Sequence, residues 1–64
     1  MSTTLSECLN EYGSITATRC GGPNNTLMCQ ITITNDTSCI YIVLSKSETI
    51  EMCERIIEGM KELN

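Results

Sequence analysis

Residues 26–45 read TLMCQITITNDTSCIYIVLS and decide the fold, because they hold two strand patterns joined by a turn. From Leu27 to Ile33 every second residue is apolar, as in a half-buried β-strand. The residues between them are Gln30 and Thr32, joined by Met28. Turn formers occupy residues 35–38, and Cys39–Ser45 follows as a second strand. The stretch therefore predicts an antiparallel hairpin.

The parity of the hairpin loop fixes which side chains share a face. A loop of two residues (35–36) or of four (35–38) brings the apolar residues of both strands to one face. These residues are Ile31, Ile33, Ile40, Ile42 and Leu44. The same parity puts Cys29 and Cys39 on opposite faces, so a disulfide between them is not expected.

The segment before the hairpin carries helical and strand patterns in turn. Thr4-Leu5-Ser6-Glu7 has the spacing of a capping box, and apolar residues then recur at helical intervals as Leu5, Cys8, Leu9 and Tyr12. This pattern predicts a short helix over residues 4–12. Residues 14–20 alternate as a strand, and residues 21–25 form a turn rich in glycine and asparagine.

The segment after the hairpin predicts a longer helix. It starts at a capping box, Ser45-Lys46-Ser47-Glu48, in which Ser47 is a competing N-cap. An apolar stripe at helical spacing follows, made of Ile50, Cys53, Ile56, Ile57, Met60 and Leu63. The sequence thus predicts a single α+β domain over residues 1–64. Its order is α-β-β-β-α, a three-stranded antiparallel meander with both helices packed on one face.

Composition argues against several classes of function. The net charge is −4, and the four Lys and Arg residues are scattered rather than clustered, so direct nucleic-acid binding is not expected. Five cysteines without a histidine or a CxxC pair favour buried thiols over a zinc site or an activated nucleophile. We therefore expect no metal, no cofactor, no catalytic residue and no enzymatic activity.

The distribution of apolar residues predicts the compartment. No stretch approaches the roughly 18 consecutive apolar residues of a membrane helix. Residues 1–7 lack the basic region and the apolar core of a secretory signal. We expect no membrane association and a location in the cytoplasm, where the thiols stay reduced.

The third predicted strand raises the question of association. In a simple meander it lies at an edge, yet Cys39–Leu44 is apolar on both faces, which favours pairing with another molecule. Its second face presents Cys39, Tyr41 and Val43. The sequence predicts a homodimer, or a tight complex with another protein, through these residues.

Two families share the predicted order of elements. Double-stranded-RNA-binding domains are also α-β-β-β-α, but they carry a lysine cluster at the start of the second helix, where this sequence reads SKSETIE (45–51). The chain more closely resembles small phage-encoded anti-CRISPR proteins, the acidic αβββα inhibitors of the type II CRISPR nuclease. The likeness lies in the turn at 21–25, the strands at 30–34 and 41–45 with the Asn35-Asp36 tip between them, and the helix start at 45–51.

That resemblance implies inhibition by protein–protein contact, in which an acidic surface occupies the Arg-lined cleft where the nuclease reads its target-adjacent DNA motif. Residue by residue, only Asn35 and Asp36 match the family's contacts. On the outer side of the second helix, Glu48, Glu51, Glu54 and Glu58 complete the acidic surface predicted to bind the partner. The leading hypothesis is a phage or mobile-element inhibitor of a host defence protein, such as a CRISPR effector nuclease. The alternative is a homodimerisation or regulatory module without inhibitory activity.

Overall fold

The computed structural model describes residues 3–62 and contains a four-stranded antiparallel sheet followed by one helix. The elements are β1 (Thr3–Asn10), β2 (Gly13–Gly21), a 3-10 turn (Pro23–Asn25), β3 (Leu27–Thr34), β4 (Cys39–Ser45) and α1 (Lys46–Lys61). The strand order is β1-β2-β3-β4, so each strand pairs with the next and β4 lies at an edge. The α+β class is confirmed.

The β3–β4 hairpin has the four-residue loop and the register that its sequence predicts. Thr34 pairs with Cys39 across the loop, and Ile31 pairs with Ile42 in the middle of the strands. Cys29 pairs with Leu44, two residues from Ile31 along β3, and therefore lies on the face opposite Cys39. The predicted separation of these two cysteines is confirmed.

The predicted N-terminal helix over residues 4–12 is wrong, because this segment is strand β1 and the sheet has four strands instead of three. A tight turn of Glu11 and Tyr12 joins β1 to β2, and the Tyr12 backbone N–H donates to the Asn10 side-chain oxygen over 2.8 Å. Gly13 follows with φ 145°, a value that side chains rarely adopt. A nine-residue helix is marginal on its own, whereas the strand pairs its backbone along β2.

A β-bulge at Leu5 accounts for one of the helical spacings in β1, the one between Leu5 and Cys8. The register with β2 shifts between Thr4 and Ser6, so Leu5 is an extra residue in the strand. Leu5 lines a groove together with Cys29, which places its side chain on the same face as Cys8. The bulge thereby separates two residues of one face by three positions, the spacing that is typical of a helix.

The two faces of the sheet differ in composition. The apolar face carries Leu5, Cys8, Ile15, Ala17, Leu27, Cys29, Ile31, Ile33, Ile40, Ile42 and Leu44, with Arg19 as its charged residue and Thr3, Ser6 and Asn10 as polar residues at the β1 edge. The threonine face consists of Thr4, Ser14, Thr16, Thr18, Gln30, Thr32 and Thr34, with Leu9, Cys20, Met28, Cys39, Tyr41 and Val43 among them and Glu7 as its charged residue. The threonine face is suited to water, whereas the apolar face requires a cover.

Helix α1 begins directly where β4 ends, without a linker. Ser45 is its N-cap: the Ser45 side chain accepts a bond from the Glu48 backbone N–H at 3.2 Å, and the Ser45 backbone N–H donates to the Glu48 carboxylate at 2.9 Å. The Thr49 hydroxyl donates to the Ser45 carbonyl at 2.8 Å and strengthens the same junction. The predicted capping box is confirmed, with Ser45 and not Ser47 as the cap.

The prediction that two helices pack on one face is wrong, because α1 is the single helix of residues 3–62 and covers little of the sheet. It contacts β3 and β4 near its start, where Cys29 is the one described residue whose side chain is buried. Most of the α1 stripe, which we define as Ile50, Cys53, Ile56, Ile57 and Met60, stays exposed, and Ile57 retains 54% of its accessible surface. Leu63, which the sequence adds to this stripe, lies outside the described residues.

The molecule is flat and open as a result. Its extents are 42 × 31 × 15 Å and its radius of gyration is 13.3 Å, whereas about 11 Å is expected for a compact domain of this length. The chain exposes 5518 Å², about 1,400 Å² more than the roughly 4,100 Å² expected of a compact monomer of 7.1 kDa. A single copy therefore leaves an unusual amount of surface uncovered.

Candidate functional site

Three glutamates form an acidic side of α1. Glu51, Glu54 and Glu58 are all exposed and recur at helical intervals, so they project from one side of the helix. The residues of the α1 stripe recur at similar intervals on the neighbouring side of the helix. Glu54 and Glu58 line a shallow groove with Lys61 and with Ile57 of the stripe, so the two sides of the helix adjoin. These three glutamates thus form an exposed acidic side of the helix, and their contact with a partner stays a prediction.

The other predicted glutamate, Glu48, serves the helix itself. Its carboxylate accepts the Ser45 backbone N–H, and this bond, with the smaller contribution of the Ser45 side chain, holds the pKa of Glu48 below its ordinary value of 4.5. Glu51 is engaged in part, because its carboxylate pairs with Arg55 at 2.7 Å in a surface ion pair. Among the described residues, Glu54 and Glu58 are consequently the two carboxylates of this face that make no side-chain hydrogen bond or ion pair.

The hairpin tip contains the remaining predicted contacts, Asn35 and Asp36. The Asn35 side-chain oxygen accepts the backbone N–H groups of Thr37 and Ser38, each over 2.9 Å, and also lies within reach of both hydroxyls. Asn35 therefore shapes the loop from within, a role that its Asn-Asp-Thr-Ser sequence signals. Asp36 is exposed at the tip and remains available to a partner.

The structure does not bring the hairpin tip and the helix glutamates together into one small site. The tip precedes β4 and α1 follows it, and the seven residues of β4 span about 23 Å. A partner that contacts both Asp36 and Glu54 must be a macromolecule with an extended surface.

The predicted self-association residues lie on the edge strand, as their positions in the sequence suggested. Cys39, Tyr41 and Val43 occupy the threonine face of β4, where Tyr41 keeps 68% of its surface exposed. Their neighbours on β3 are polar: Thr34 donates to the Cys39 sulfur at 3.4 Å, and Gln30 donates to Thr32 at 3.2 Å. This edge is accessible, but its apolar residues are confined to β4, because the facing residues of β3 are polar.

Sequence reasoning missed the largest candidate surface, which is the apolar face itself. The alternation in β3 and β4 identified its residues, but the prediction assumed that two helices cover them. In the structure Ile40 and Ile42 remain 61% and 57% exposed. The face continues into the α1 stripe through a groove that Ile50 lines together with Leu5 and Cys29. Sheet and helix therefore share one continuous apolar surface.

Chemistry at single residues is sparse in the part of the chain that the structure describes. The five cysteines are free thiols, but only Cys29 is buried, and the expectation of buried thiols is wrong for Cys8, Cys39 and Cys53, which are exposed. Residues 3–62 contain no cluster of three or more His, Cys, Asp or Glu side chains that could hold a metal ion. The grooves on this part of the chain are open to solvent. No helix between residues 3 and 62 has the length and apolarity needed to cross a membrane.

No family model matches the chain, and neither a curated protein nor a solved structure shows significant similarity to it.

Proposed function

We propose that this chain acts by binding, as a phage or mobile-element inhibitor of a host defence protein in the host cytoplasm. The observation that carries the proposal is the acidic side of α1, where Glu54 and Glu58 stand exposed, away from the sheet. A helix face of this kind complements a basic surface, and electrostatic complementarity of this type steers and orients association. A nucleic-acid-binding cleft of a CRISPR effector nuclease is the basic surface that the family resemblance implies.

Two further features bear on this proposal. Asp36 adds a second exposed carboxylate about one strand length from α1, which suits a partner with an extended basic surface. The N-terminal helix of the resemblance corresponds to strand β1 in the structure. The proposal therefore stands on the hairpin tip and the helix glutamates and does not use the N-terminal segment.

A charge-reversal pair with a matched control tests the acidic side of α1. Glu54→Lys/Glu58→Lys and Glu7→Lys/Glu11→Lys each replace two negative charges with two positive ones, which brings the net charge from −4 to 0. Glu7 and Glu11 are exposed in β1 and its turn, away from α1. We expect the α1 pair to weaken binding to a purified type II nuclease–guide complex at least about tenfold, and the control pair to change it far less.

The same proteins are expressed in cells that carry the nuclease, and protection of a targeted phage is scored by plaque counts. Wild-type protein and the control pair are expected to protect, and the α1 pair is not. Equal loss with both pairs would mean that net charge alone matters and would refute the acidic-face mechanism. A wild-type chain that neither binds the nuclease nor protects the phage overturns the inhibitor proposal.

Asp36→Lys separates inhibition from self-association. Under the inhibitor proposal, this change weakens target binding and leaves the oligomeric state unchanged. The second candidate function is a homodimerisation module, favoured by the exposed edge residues Cys39, Tyr41 and Val43. Under that candidate, Asp36→Lys affects neither property, whereas Tyr41→Lys converts the protein to a monomer in sedimentation experiments.

A further inference from the structure

We propose that two copies of this chain form a symmetric dimer in which the α1 stripe of each copy packs on the apolar face of the other. The occupant of the uncovered surface is thus a second copy of this chain. The dimer is a different interface from the β4 edge, and it does not depend on the proposed inhibition.

The first argument is the position of the uncovered residues. Ile15 and Ile33 of the apolar face keep 44% and 45% of their surfaces exposed, and they lie in adjacent strands opposite one another. Ile40 continues the same row into β4. This row is an apolar platform across the sheet, of the kind on which a helix packs in two-layer folds.

The second argument is that the chain provides the matching helix but does not place it there. Ile56, Ile57 and Met60 project from α1 at helical spacing and are each more than half exposed. The capping box at Ser45 fixes the start of α1 directly after β4, so the helix has no linker that would let it fold back. Ile56, Ile57 and Met60 therefore do not cover the platform within one copy, although the stripe adjoins the apolar face at Ile50.

The third argument is area. The chain exposes about 1,400 Å² more than a compact monomer of its mass. A standard protein–protein interface buries about 800 Å² on each partner. The excess is therefore sufficient for a stable dimer.

The fourth argument is closure. In a two-fold dimer the same two surfaces meet twice, so each copy gives one helix and receives one, and neither the α1 stripe nor the apolar face is left to recruit further copies. Pairing the two apolar faces directly would cover the sheets but leave both helices uncovered. Arg19 does not oppose the arrangement, because a long arginine side chain can bury its stem and keep its guanidinium at the rim.

The native cysteines report this interface without any substitution. Cys53 belongs to the α1 stripe, Cys39 lies on the threonine face, and both are exposed in the single copy. Reduced protein is labelled briefly with N-ethylmaleimide over a range of concentrations, and each site is quantified by peptide mass spectrometry. Sedimentation on the same samples gives the fraction of dimer.

We expect labelling of Cys53 to slow at least tenfold as the dimer forms and labelling of Cys39 to stay constant. Protection of Cys39 with Cys53 unchanged would place the interface at the β4 edge and overturn the proposal. A chain that stays monomeric at high micromolar concentration, with no change at either thiol, overturns it as well.

A pair of neighbouring substitutions on α1 provides a second test. Ile57→Lys places a charge in the stripe, and Glu58→Lys places the same charge on the acidic side. We expect Ile57→Lys to raise the dimer dissociation constant at least 100-fold and Glu58→Lys to change it less than threefold. Equal changes of the dissociation constant in the two variants would contradict the proposed dimer. Since Glu58→Lys is directed at target binding and Ile57→Lys at the dimer, the two proposals can fail separately.

Discussion

The two faces of the sheet share the same four strands but require different surroundings. Hydroxyl and amide groups on the threonine face bond to water or to each other, as Gln30 does with Thr32. On the apolar face, Ile40 and Ile42 have no such partners and remain largely exposed. Contiguous apolar surface of this kind marks an interaction site in soluble proteins. The comparison shows that, within one copy, the polar groups of the threonine face are suited to solvent, whereas the apolar face is left without a covering layer.

The most direct test of this difference between the faces places the same charge on each face of β4. Ile42→Lys puts an ammonium group in the middle of the apolar face, and Val43→Lys puts one on the threonine face, one residue further along. We expect Ile42→Lys to weaken self-association at least 100-fold, which is about 2.7 kcal/mol, because the charge must be desolvated in the interface. We expect Val43→Lys to weaken self-association less than tenfold.

Sedimentation equilibrium measures both dissociation constants, and circular dichroism checks that both variants keep the sheet. The reverse order of effects would assign association to Cys39, Tyr41 and Val43. If the wild-type chain does not associate at all, neither face is an interface between copies, and the prediction is wrong.

A smaller effect is expected at the junction that holds α1 beside the apolar face. Ser45→Ala removes the side-chain acceptor of the Glu48 backbone N–H, and loss of an N-cap typically costs about 1 kcal/mol. Chemical denaturation measures the change in the free energy of unfolding, at one fixed protein concentration because association contributes to it. Ser47→Ala is the control, since the Ser47 hydroxyl contacts only the Ser45 hydroxyl among the described groups. Equal losses in both variants would show that Ser45 has no special capping role.

The smallest effect concerns the pH dependence of the same junction. Because the folded-state pKa of Glu48 lies below its ordinary value of 4.5, the stabilisation is fully present above about pH 4.5 and is lost as the pH falls through the folded-state pKa. Glu48→Gln retains an oxygen acceptor but does not titrate, so its stability should decline less on acidification. Thermal unfolding at pH 6 and at lower pH compares the two proteins. Identical declines would mean that the Glu48 carboxylate does not stabilise the cap.

The sequence predicts those parts of the fold whose signals are local. The hairpin register follows from the alternation in β3 and β4 and from the even-numbered loop at residues 35–38, and the capping box at Ser45 marks the start of α1. At the N-terminus, the bulge at Leu5 disrupts the alternation, and the helix prediction fails. A bulge is set by pairing with β2, which sequence spacing does not record.

The candidate surfaces were predictable to a similar degree. The acidic side of α1 follows from helical periodicity alone, and its glutamates lie where that periodicity puts them. The resemblance assigned Asn35 to partner contact. In the structure its side-chain oxygen instead accepts hydrogen bonds within the turn. The exposure of the apolar face was missed, because it depends on the direction in which α1 leaves the sheet, and no local pattern encodes that direction.

Because α1 follows β4 directly, a small change of angle at their junction displaces the far end of the helix. Its 16 residues extend about 24 Å, so a rotation of 10° at Ser45 moves the far end by about 4 Å. Four ångströms is close to the spacing between neighbouring side chains, so a small loosening of the cap would shift Met60 from one packing position to the next. The accuracy with which α1 meets any second molecule therefore depends on its opposite end, where Ser45 bonds to Glu48 and Thr49.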